Sequence, residues 1–439
     1  MKKSLLLLVF AIALAGSIIF SCSHEDVFEP DVKVEEGSIM EVNINPSDLG
    51  ARMVFLRTPA EMTNLIEAPM QTQSYEKTPP QSYYWELLAE MPVLEHDGHD
   101  LSATQVDIHG DYAYITYNVQ GNEFAGALEI IDISDVEEPE VVSITTFDDI
   151  DINSIAIDKI GLSQPMTIWL AGSSNLNGAV VIRLNSINGV VVEDSETMVS
   201  LEGVFEEGVS ASANSICKVK NYIYVTSGNS YGGITMLNIA DLSYVKHHSF
   251  PAAKYVISNN ENQEAGNKIL VLSTGDNAKL RVYDLDLTEE DMDMYDLGVI
   301  KHDVENPAFT YYGKNTMAVD GNKKLVYIAM GDRGVIAMNH DTGEIEYPSP
   351  EGLLENGNTN AVTMDNFYLY FANGADGLTI APIPSPQDDD IVPIFMWDME
   401  EEPASANYAF AHKVGNNYYI FVAKGLGGLN ILVREDVED

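Results

Sequence analysis

Positively charged residues are scarce in this sequence. Its 439 residues include 23 Lys and Arg against 68 Asp and Glu, which gives a formal net charge of −45. A surface this acidic repels phosphate backbones and anionic lipid headgroups. The charge balance therefore excludes nucleic acids as partners.

Long runs rich in Ala, Glu, Lys and Leu are also missing, and such runs are typical of extended helices. The chain contains 22 Tyr and 32 Gly, a combination that favours strands joined by tight turns. Hydrophobic residues make up 45% of the sequence, enough to bury a substantial core. These properties predict an all-β protein and exclude a disordered chain.

Motifs of nucleophilic and metal catalysis are lacking too. The sequence has no GxSxG elbow, no HExxH motif and no recognisable Cys/His pair. Of its two cysteines, Cys217 lies in the apolar run 215–219, where a small buried hydrophobic residue is the simplest interpretation. The sequence therefore predicts no catalytic residue of these kinds and no cofactor.

The N-terminus has the features of a secretion signal. Lys2 and Lys3 precede an apolar run over residues 5–20, which is shorter than a membrane-spanning helix needs. The run ends at Ser21 and Cys22, an arrangement that resembles a loose bacterial lipobox, in which the cysteine is acylated. We expect a lipoprotein signal peptide over residues 1–21, lipid attachment at Cys22, and an outer-membrane or cell-surface location. An uncleaved membrane anchor with an incidental cysteine is the alternative.

A repeat runs through most of the remaining chain, with a mean spacing of about 50 residues between seven similar cores. These cores are LEIID from Leu128, VVIRL from Val180, ITMLN from Ile234, LRVYD from Leu280, VIAMN from Val335, LTIAP from Leu378 and LNILV from Leu429. A glycine-rich turn and an aromatic, β-branched run precede each core, and further strand-like runs lie on either side. Four antiparallel strands per unit of this length are typical of a propeller blade.

The repeat predicts a seven-bladed β-propeller of four-stranded antiparallel blades over residues 81–439. Residues 22–80 are interpreted as an acidic tether and N-terminal extension. The last unit has only three strands before residue 439, so its edge needs a partner from elsewhere. The aromatic, β-prone segment 83–94 is expected to supply it.

Two of the repeat cores carry a family resemblance. LEIID, followed by Ile133, and LRVYD, followed by Leu285, are similar to the LVIVD repeat of bacterial secreted and surface proteins. Asp132 and Asp284 close the motif in those two units, whereas Leu184, Pro382 and Val433 depart from it. The resemblance implies a β-propeller and suggests adhesion or ligand binding, and it implies no shared catalytic residues.

One position at the start of the innermost strand is nearly constant between units. It is occupied by Thr104, Asn153, Asn214, Lys254, Asn315, Asn360 and Asn407. A ring of amides could bind a neutral polar ligand such as a sugar, but an amide is also a good cap for backbone groups. We favour the structural interpretation, which makes the exceptions Lys254 and Thr104 better candidates for ligand binding.

Aromatic residues on the same face are candidates for stacking against a glycan. Tyr255 and Tyr408 adjoin the ring positions, and Tyr231 and Phe124 lie in turns that the propeller topology places on that face. Exposed tyrosines in propeller loops are common, so this assignment is an expectation only.

Two acidic clusters resemble fragments of metal sites. His96, Asp97, His99 and Asp100 fall within six residues, but a catalytic zinc needs three rigidly held ligands and no spaced partner follows. Asp149, Asp151 and Asn153 alternate as calcium ligands can, without the glycine of an EF-hand loop. We expect a solvated loop at the first cluster and no metal at either.

Taken together, these observations predict a lipid-anchored binding or adhesion protein that presents one propeller face to a glycan or protein ligand. A propeller hydrolase or lyase acting on an extracellular polysaccharide is the alternative, because such enzymes draw carboxylates from distant blades. Two carboxylates facing each other across a cleft would favour the enzyme.

Overall fold

A computed structural model describes residues 40–60, 62–64, 83–160, 164–205, 210–228, 231–289, 292–300, 314–349, 354, 357–399 and 404–436. The predicted signal peptide and Cys22 lie outside these residues. Within the described ranges, no helix is both long and apolar enough to cross a membrane.

The regular secondary structure of the described residues is almost entirely β-strand. The only helix among them is α1 (Pro46–Leu49). The strands are β1 (Met40–Asn43), β2 (Val54–Pro59), β3 (Thr63–Asn64), β4 (Tyr83–Met91), β5 (Leu94–His96), β6 (His99–His109), β7 (Tyr112–Val119), β8 (Ala125–Asp132), β9 (Glu140–Asp148), β10 (Ile150–Ile157), β11 (Met166–Ser174), β12 (Gly178–Ile187), β13 (Val190–Val191), β14 (Thr197–Ser200), β15 (Ala213–Val219), β16 (Tyr222–Ser227), β17 (Gly233–Asn238), β18 (Tyr244–Ser249), β19 (Ala253–Ser258), β20 (Lys268–Ser273), β21 (Gly275–Asp284), β22 (Asp293–Ile300), β23 (Met317–Asp320), β24 (Leu325–Ala329), β25 (Val335–Asn339), β26 (Ile345–Pro348), β27 (Ala361–Met364), β28 (Tyr368–Ala372), β29 (Leu378–Pro382), β30 (Phe395–Trp397), β31 (Ala404–Val414), β32 (Asn417–Gly425) and β33 (Leu429–Asp436).

These strands form antiparallel units of four consecutive neighbours. Unit 1 is β6–β9, unit 2 is β10–β12 with β13 and β14, and units 3 to 6 are β15–β18, β19–β22, β23–β26 and β27–β30. Unit 7 consists of β31–β33 and β4. Units 1 and 7 belong to one eleven-stranded sheet, because Gly425 of β32 pairs with Ala103 of β6.

The first strands of the units form a closed ring. β6 contacts β10, which contacts β15, and the series continues through β19, β23 and β27 to β31. β31 in turn contacts β6, so the last unit packs against the first. Four-stranded antiparallel sheets arranged around a ring of inner strands are the architecture of a β-propeller.

The first two strands of each unit bury side chains on both of their faces, as β7 of unit 1 illustrates. Ala113, Ile115 and Tyr117 pack into one hydrophobic cluster. Tyr114, which points to the other side, packs into a second cluster with residues of unit 2. Since successive side chains of a strand point to opposite faces, a unit between two others needs apolar residues at nearly every position. This explains the continuous aromatic and β-branched runs of the repeat.

The last unit is closed by an N-terminal strand, as the sequence predicts. β4 pairs with β33 in a register that places Met91 opposite Leu429 and Tyr83 opposite Asp436. The strand ends at Met91 rather than at Leu94, because Pro92 has no N–H to donate to a ladder. Leu94 begins β5, a short partner of β6.

Three further N-terminal strands add to outer sheet edges. β1 pairs with β9 of unit 1, β2 with β4 of unit 7, and β3 with β30 of unit 6. Each addition covers a row of backbone groups that would otherwise be unpaired. The segment 22–80 therefore contains strands that belong to the sheets, and its composition gave no indication of them.

Candidate functional site

The ring positions connect neighbouring units. At five of them the side chain donates a hydrogen bond to a backbone carbonyl of the next unit, and that carbonyl belongs to the residue just before the next ring position. The pairs are Thr104 to Ile152 (3.2 Å), Asn153 to Ala213 (3.0 Å), Asn214 to Ala253 (2.8 Å), Asn360 to Ala406 (3.0 Å) and Asn407 to Ala103 (2.9 Å). These side chains therefore hold adjacent inner strands together.

Thr104, although it is not an asparagine, resembles the other ring residues in its contacts. Its hydroxyl lies within hydrogen-bond distance of the Ile152 carbonyl of the next unit (3.2 Å) and of the Thr116 carbonyl (3.0 Å) and hydroxyl (2.7 Å) of its own unit. Thr104 and the four bridging asparagines thus direct donors at the protein backbone, which reduces their capacity to bind a sugar.

The ring positions of units 4 and 5 differ from the other five. Asn315 is almost fully buried, has a φ of 48°, and donates to the Ala329 carbonyl of its own unit at 3.1 Å. Lys254 replaces the amide in unit 4 with a longer, basic side chain. The two exceptions are adjacent in the ring, so they mark one sector of the channel.

Lys314, which the sequence analysis missed, lies in this same sector. Its Nζ donates to the Asn153 carbonyl at 2.5 Å and to Gln105 Oε1 at 3.3 Å, and it lies 5.9 Å from the centre of the Tyr408 ring. The side chain therefore extends from unit 5 across the ring to units 1, 2 and 7. Comparison of the repeats one position earlier would have revealed it, since the equivalent residues are Ala, Ile or Thr.

The two lysines lie in an environment that disfavours their charged forms. Burial lowers the pKa of Lys254 to about 8. Burial, and then the nearby charge of Lys254, hold the pKa of Lys314 well below its usual value. Among the described residues, Lys314 donates only to neutral oxygen atoms. An acidic protein thus concentrates two amines at one end of its channel.

Tyr255 and Tyr408 lie in the channel wall rather than on its outer surface. Their hydroxyl groups hydrogen-bond to each other, and burial raises the pKa of both. Tyr408 is only 7% exposed. The Tyr408 ring therefore has little open face for stacking against a glycan, whereas Tyr255 is half-buried.

Surface aromatic area on the ring side comes instead from Tyr231. It lies between β16 and β17 and is 48% exposed. Phe124, in the corresponding turn of unit 1, is half-buried. Tyr231 is thus the aromatic candidate that the structure leaves accessible.

Further along the channel, Lys159 and Asp107 form an ion pair at 2.6 Å. The end opposite the ring is bridged by the loop 259–267 of unit 4. Gln263 of this loop donates to the Ile157 carbonyl at 2.7 Å and accepts from the Lys159 N–H at 3.0 Å, both in unit 2. Its own carbonyl accepts from Lys220 of unit 3. Within the described ranges, this loop therefore links units 2, 3 and 4 at that end of the channel.

The histidine cluster forms a hairpin turn. His96 pairs with His99 across β5 and β6, and Asp97 and Gly98 between them have positive φ. His96 Nε2 lies 2.8 Å from Asp148 Oδ1, so it contacts a carboxylate outside the cluster. The side chains of Asp100 and its neighbours are not gathered around one point: within the described ranges, no three His, Cys, Asp or Glu residues could hold a metal ion.

The second acidic cluster serves the connection between units 1 and 2. Asp151 Oδ1 accepts hydrogen bonds from the backbone N–H groups of Val119 and Ala125, at 3.1 and 3.3 Å. Burial raises the pKa of Asp151 to about 7, in opposition to these two bonds. The carboxylate thus closes the turn between β7 and β8.

Cys217 is half-buried on the inner strand of unit 3. Burial raises the pKa of its thiol to about 11, so the reactive thiolate is disfavoured at neutral pH.

Comparison with known proteins gives similarity only at the level of the fold. No family model matches the chain, and no curated protein sequence matches it. The chain is similar to the WD40 β-propeller domain of Doa1, with a TM-score of 0.48 and 11% identity over 76% of this chain and 94% of that one. It is also similar to Raptor from Chaetomium thermophilum, with a TM-score of 0.49 and 10% identity over 77% of this chain and 28% of that one.

Proposed function

We propose that this protein is a lipid-anchored, extracytoplasmic binding protein that uses the ring side of a seven-bladed propeller to bind a basic protein partner. Each four-stranded unit is one blade, and the repeat is a divergent form of the LVIVD repeat. The domain arrangement is a signal peptide over residues 1–21, a tether and extension over residues 22–80, and the propeller over residues 81–439. Cys22 carries the lipid at the outer membrane or cell surface.

The observation that carries this proposal is the difference between the two ends of the channel. The ring end offers Lys254, Lys314 and the exposed Tyr231, whereas the loop 259–267 bridges the other end. A partner is therefore expected to approach the ring side.

Charge favours a basic protein over a glycan. The net charge of −45 attracts cationic surfaces and repels acidic polysaccharides at long range. Turns on the ring side contribute to this field, with carboxylates at Glu123, Asp276 and Asp332 exposed. A neutral sugar would need hydrogen-bond donors from the ring asparagines, but four of these side chains already donate to backbone carbonyls.

The proposal can be tested with poly-L-lysine as a basic probe and dextran as a neutral glycan, using surface plasmon resonance on the immobilised protein. The double variant Glu123→Gln/Asp276→Asn removes two ring-side charges. The matched control Asp111→Asn/Glu138→Gln removes two exposed charges from turns at the opposite end. We expect salt-dependent poly-lysine binding that weakens several-fold more in the ring-side variant. Equal weakening in both variants, or binding of dextran instead, would contradict the proposed partner and face.

The anchor has a separate test. Cys22→Ala should move the protein from the membrane fraction to the soluble fraction when it is expressed in a bacterium with lipoprotein processing. If the variant stays in the membrane fraction, residues 5–20 act as an uncleaved anchor and the lipoprotein assignment is wrong.

One cavity supports the enzyme alternative. Glu261, Asp320 and Asp365 from units 4, 5 and 6 line a cavity of about 190 Å³ at the end opposite the ring. Burial raises the pKa of Glu261; the charge of Lys159 opposes this rise, and the smaller effects of the Asp320 and Asp365 charges add to it. A glycosidase needs a carboxyl group with a raised pKa and a second carboxylate across the cleft, and this cavity has acidic residues of three units in its lining. Release of reducing sugar from a neutral polysaccharide by the wild type, abolished in Glu261→Gln, would favour this function.

A further inference from the structure

A cavity lies between units 1 and 2 on the ring side of the protein. Its walls are the added strand β1, the connection from β9 to β10, and the turn from β11 to β12 with β14 beside it. The connection leads directly to the ring position Asn153, and the turn lies at the same end of the sheet because Ile150 pairs with Ser174. The cavity has a volume of about 260 Å³, below the roughly 300–1,000 Å³ of pockets for whole small molecules. It therefore has room for a single side chain.

Hydrogen bonds fix the turn that forms one wall of this cavity. The Asn175 N–H donates to the Asp149 carbonyl at 3.0 Å, which joins the turn to the connection between β9 and β10. The Ser174 hydroxyl oxygen accepts from the N–H of Leu176 at 3.2 Å, inside the turn. The cavity is therefore formed before any partner binds.

Part of the cavity lining is apolar. Ile150 and Met198 are buried there, and both belong to one hydrophobic cluster, against which Met40 of β1 packs. Leu176 also belongs to the lining and is 76% exposed, the largest fraction among the large hydrophobic residues that the structure describes. Contact with a partner would remove this apolar surface from water.

The lining also contains three exposed acidic residues, Glu41, Asp148 and Asp149. Asp148 contacts His96, but the carboxylates of Glu41 and Asp149 have no hydrogen-bond or ion-pair partner in the part of the chain that the structure describes. In that same part, no three His, Cys, Asp or Glu residues could hold a metal ion. Carboxylates beside an apolar surface favour an organic cation, which has an apolar part and a charged part.

We propose that this cavity binds the side chain of an arginine on the basic partner. The inference rests on the proposed function, because it names one contact of a basic protein that approaches the ring side. The aliphatic part of the arginine contacts Leu176, and its guanidinium donates to Glu41 and Asp149. Arginine suits the cavity better than lysine, because a guanidinium is more weakly hydrated and its planar donors can reach carboxylates on two different segments.

The test uses three fluorescently labelled peptides of lysine and glycine, blocked at both ends and measured by fluorescence anisotropy at constant ionic strength. They differ only in the central residue, which is arginine, lysine or norleucine. We expect the arginine peptide to bind about threefold to fivefold more tightly than the lysine peptide, the size of effect that one partly exposed ion pair supplies. The norleucine peptide should bind most weakly, because its central side chain has no charge.

A charge variant tests whether the cavity is the source of this preference. Glu41→Gln/Asp149→Asn removes both unpartnered carboxylates, and asparagine tolerates the φ of 57° at position 149. We expect this variant to bind the arginine and lysine peptides equally. Glu123→Gln/Asp276→Asn is the control, since it removes the same charge from ring-side turns outside the cavity. It should weaken both peptides and keep the preference for arginine.

A second variant tests the apolar wall. Leu176→Ser should reduce the preference for arginine to less than about twofold, because the aliphatic part of the side chain loses its contact. Ile187→Ser is the matched control. Ile187 is 46% exposed and lies at the other end of β12, so its replacement should leave the preference unchanged.

Each alternative outcome has a distinct meaning. Equal binding of the arginine and lysine peptides to the wild type would overturn the arginine site and leave the proposed function intact. Binding of the norleucine peptide as tight as that of the arginine peptide would overturn it in favour of an apolar occupant. An arginine preference that survives both Glu41→Gln/Asp149→Asn and Leu176→Ser would show that the cavity is not its source. Failure of every peptide to bind would overturn both the site and the proposed function.

Discussion

The guanidinium of Arg52 and the carboxylate of Glu129 form a two-point ion pair, with Nε–Oε1 at 2.9 Å and Nη2–Oε2 at 3.2 Å. Glu129 is fully buried on β8 and also accepts a 2.5 Å hydrogen bond from the Tyr117 hydroxyl. The remaining Arg52 nitrogen donates to the carbonyls of Pro92 and Val93, between β4 and β5. One side chain of the N-terminal segment thus joins unit 1 to the strand that closes unit 7.

This ion pair gives a first prediction about stability. Arg52→Met should destabilise the protein by about 3–5 kcal/mol, because it leaves the Glu129 charge buried without a partner. The measurement is urea unfolding followed by fluorescence. The matched control is Arg57→Met in the same segment, whose pairs with Glu86 and Glu137 are partly exposed and 4.0 Å long. We expect the control to cost under about 1 kcal/mol. Addition of Glu129→Gln to Arg52→Met should recover part of the loss, and no recovery would contradict the buried-charge explanation.

The closing strand gives a second prediction. Ala89 is fully buried on β4 and pairs with Ile431 on one side and Phe55 on the other. Ala89→Pro removes a ladder N–H from a strand with neighbours on both sides, so we expect a loss of about 3 kcal/mol or more and increased aggregation. Ala89→Gly keeps the N–H and should cost only about 1 kcal/mol. Similar melting temperatures for the two variants would show that β4 contributes little to closure.

Repetition explains how much of the fold could be predicted. Seven aligned cores predict three strands in each unit and a fourth in most of them, and the missing strand of the last unit points to residues 83–94. The strands β1 to β3 have no counterpart in other units, so comparison of the repeats cannot predict them. The repeat also identifies the ring positions, but it does not identify the carbonyls that accept their hydrogen bonds. Asn407, for example, donates to Ala103, which is 304 residues away in the chain. A sequence shows which positions repeat, whereas the carbonyl that each one meets depends on how the units pack.

A third prediction separates the two kinds of ring asparagine. Asn360→Ala removes one bridge between units 6 and 7 and should cost on the order of 1 kcal/mol. Asn315→Ala should cost about 1 kcal/mol more, because its φ of 48° strains a residue with a Cβ and no local hydrogen bond. Asn315→Gly, which accepts this φ, should be the milder of the two changes at 315. Thermal melting of all three variants measures the order, and a milder effect for Asn315→Ala than for Asn360→Ala would contradict it.

Asp151 gives a fourth prediction, on pH. Its pKa is about 7 in the folded protein, against an ordinary value of 3.8, so the folded state holds its proton more tightly than the unfolded state. The stability that this group contributes is fully present below about pH 4 and is lost as the pH rises to 7. Asp151→Asn keeps the acceptor for Val119 and Ala125 without the charge.

The expected result is therefore a stabilisation by Asp151→Asn that grows between pH 4 and pH 7 and then levels off, measured by melting at a series of pH values. Asp149→Asn, at the exposed neighbour two residues earlier, controls for the change in net charge. If both variants follow the same pH profile, the effect comes from overall charge and not from the burial of Asp151.

The lysine pair gives the last prediction, with the opposite pH dependence. The pKa of Lys254 is lowered from 10.5 to about 8, so the unfolded state holds this proton more tightly and stability rises with pH between those values. Lys254→Gln should therefore be more stable than the wild type at pH 7, and the difference should shrink as the pH approaches 10.5. Lys314→Gln should behave in the same way, because its pKa is also lowered.

Lys268→Gln, which removes an ion-paired lysine of the same unit as Lys254, is the control and should be neutral or slightly destabilising at pH 7. If Lys254→Gln and Lys314→Gln instead lower the melting temperature at pH 7, the two lysines support the fold and burial of their amines is not a net cost to stability.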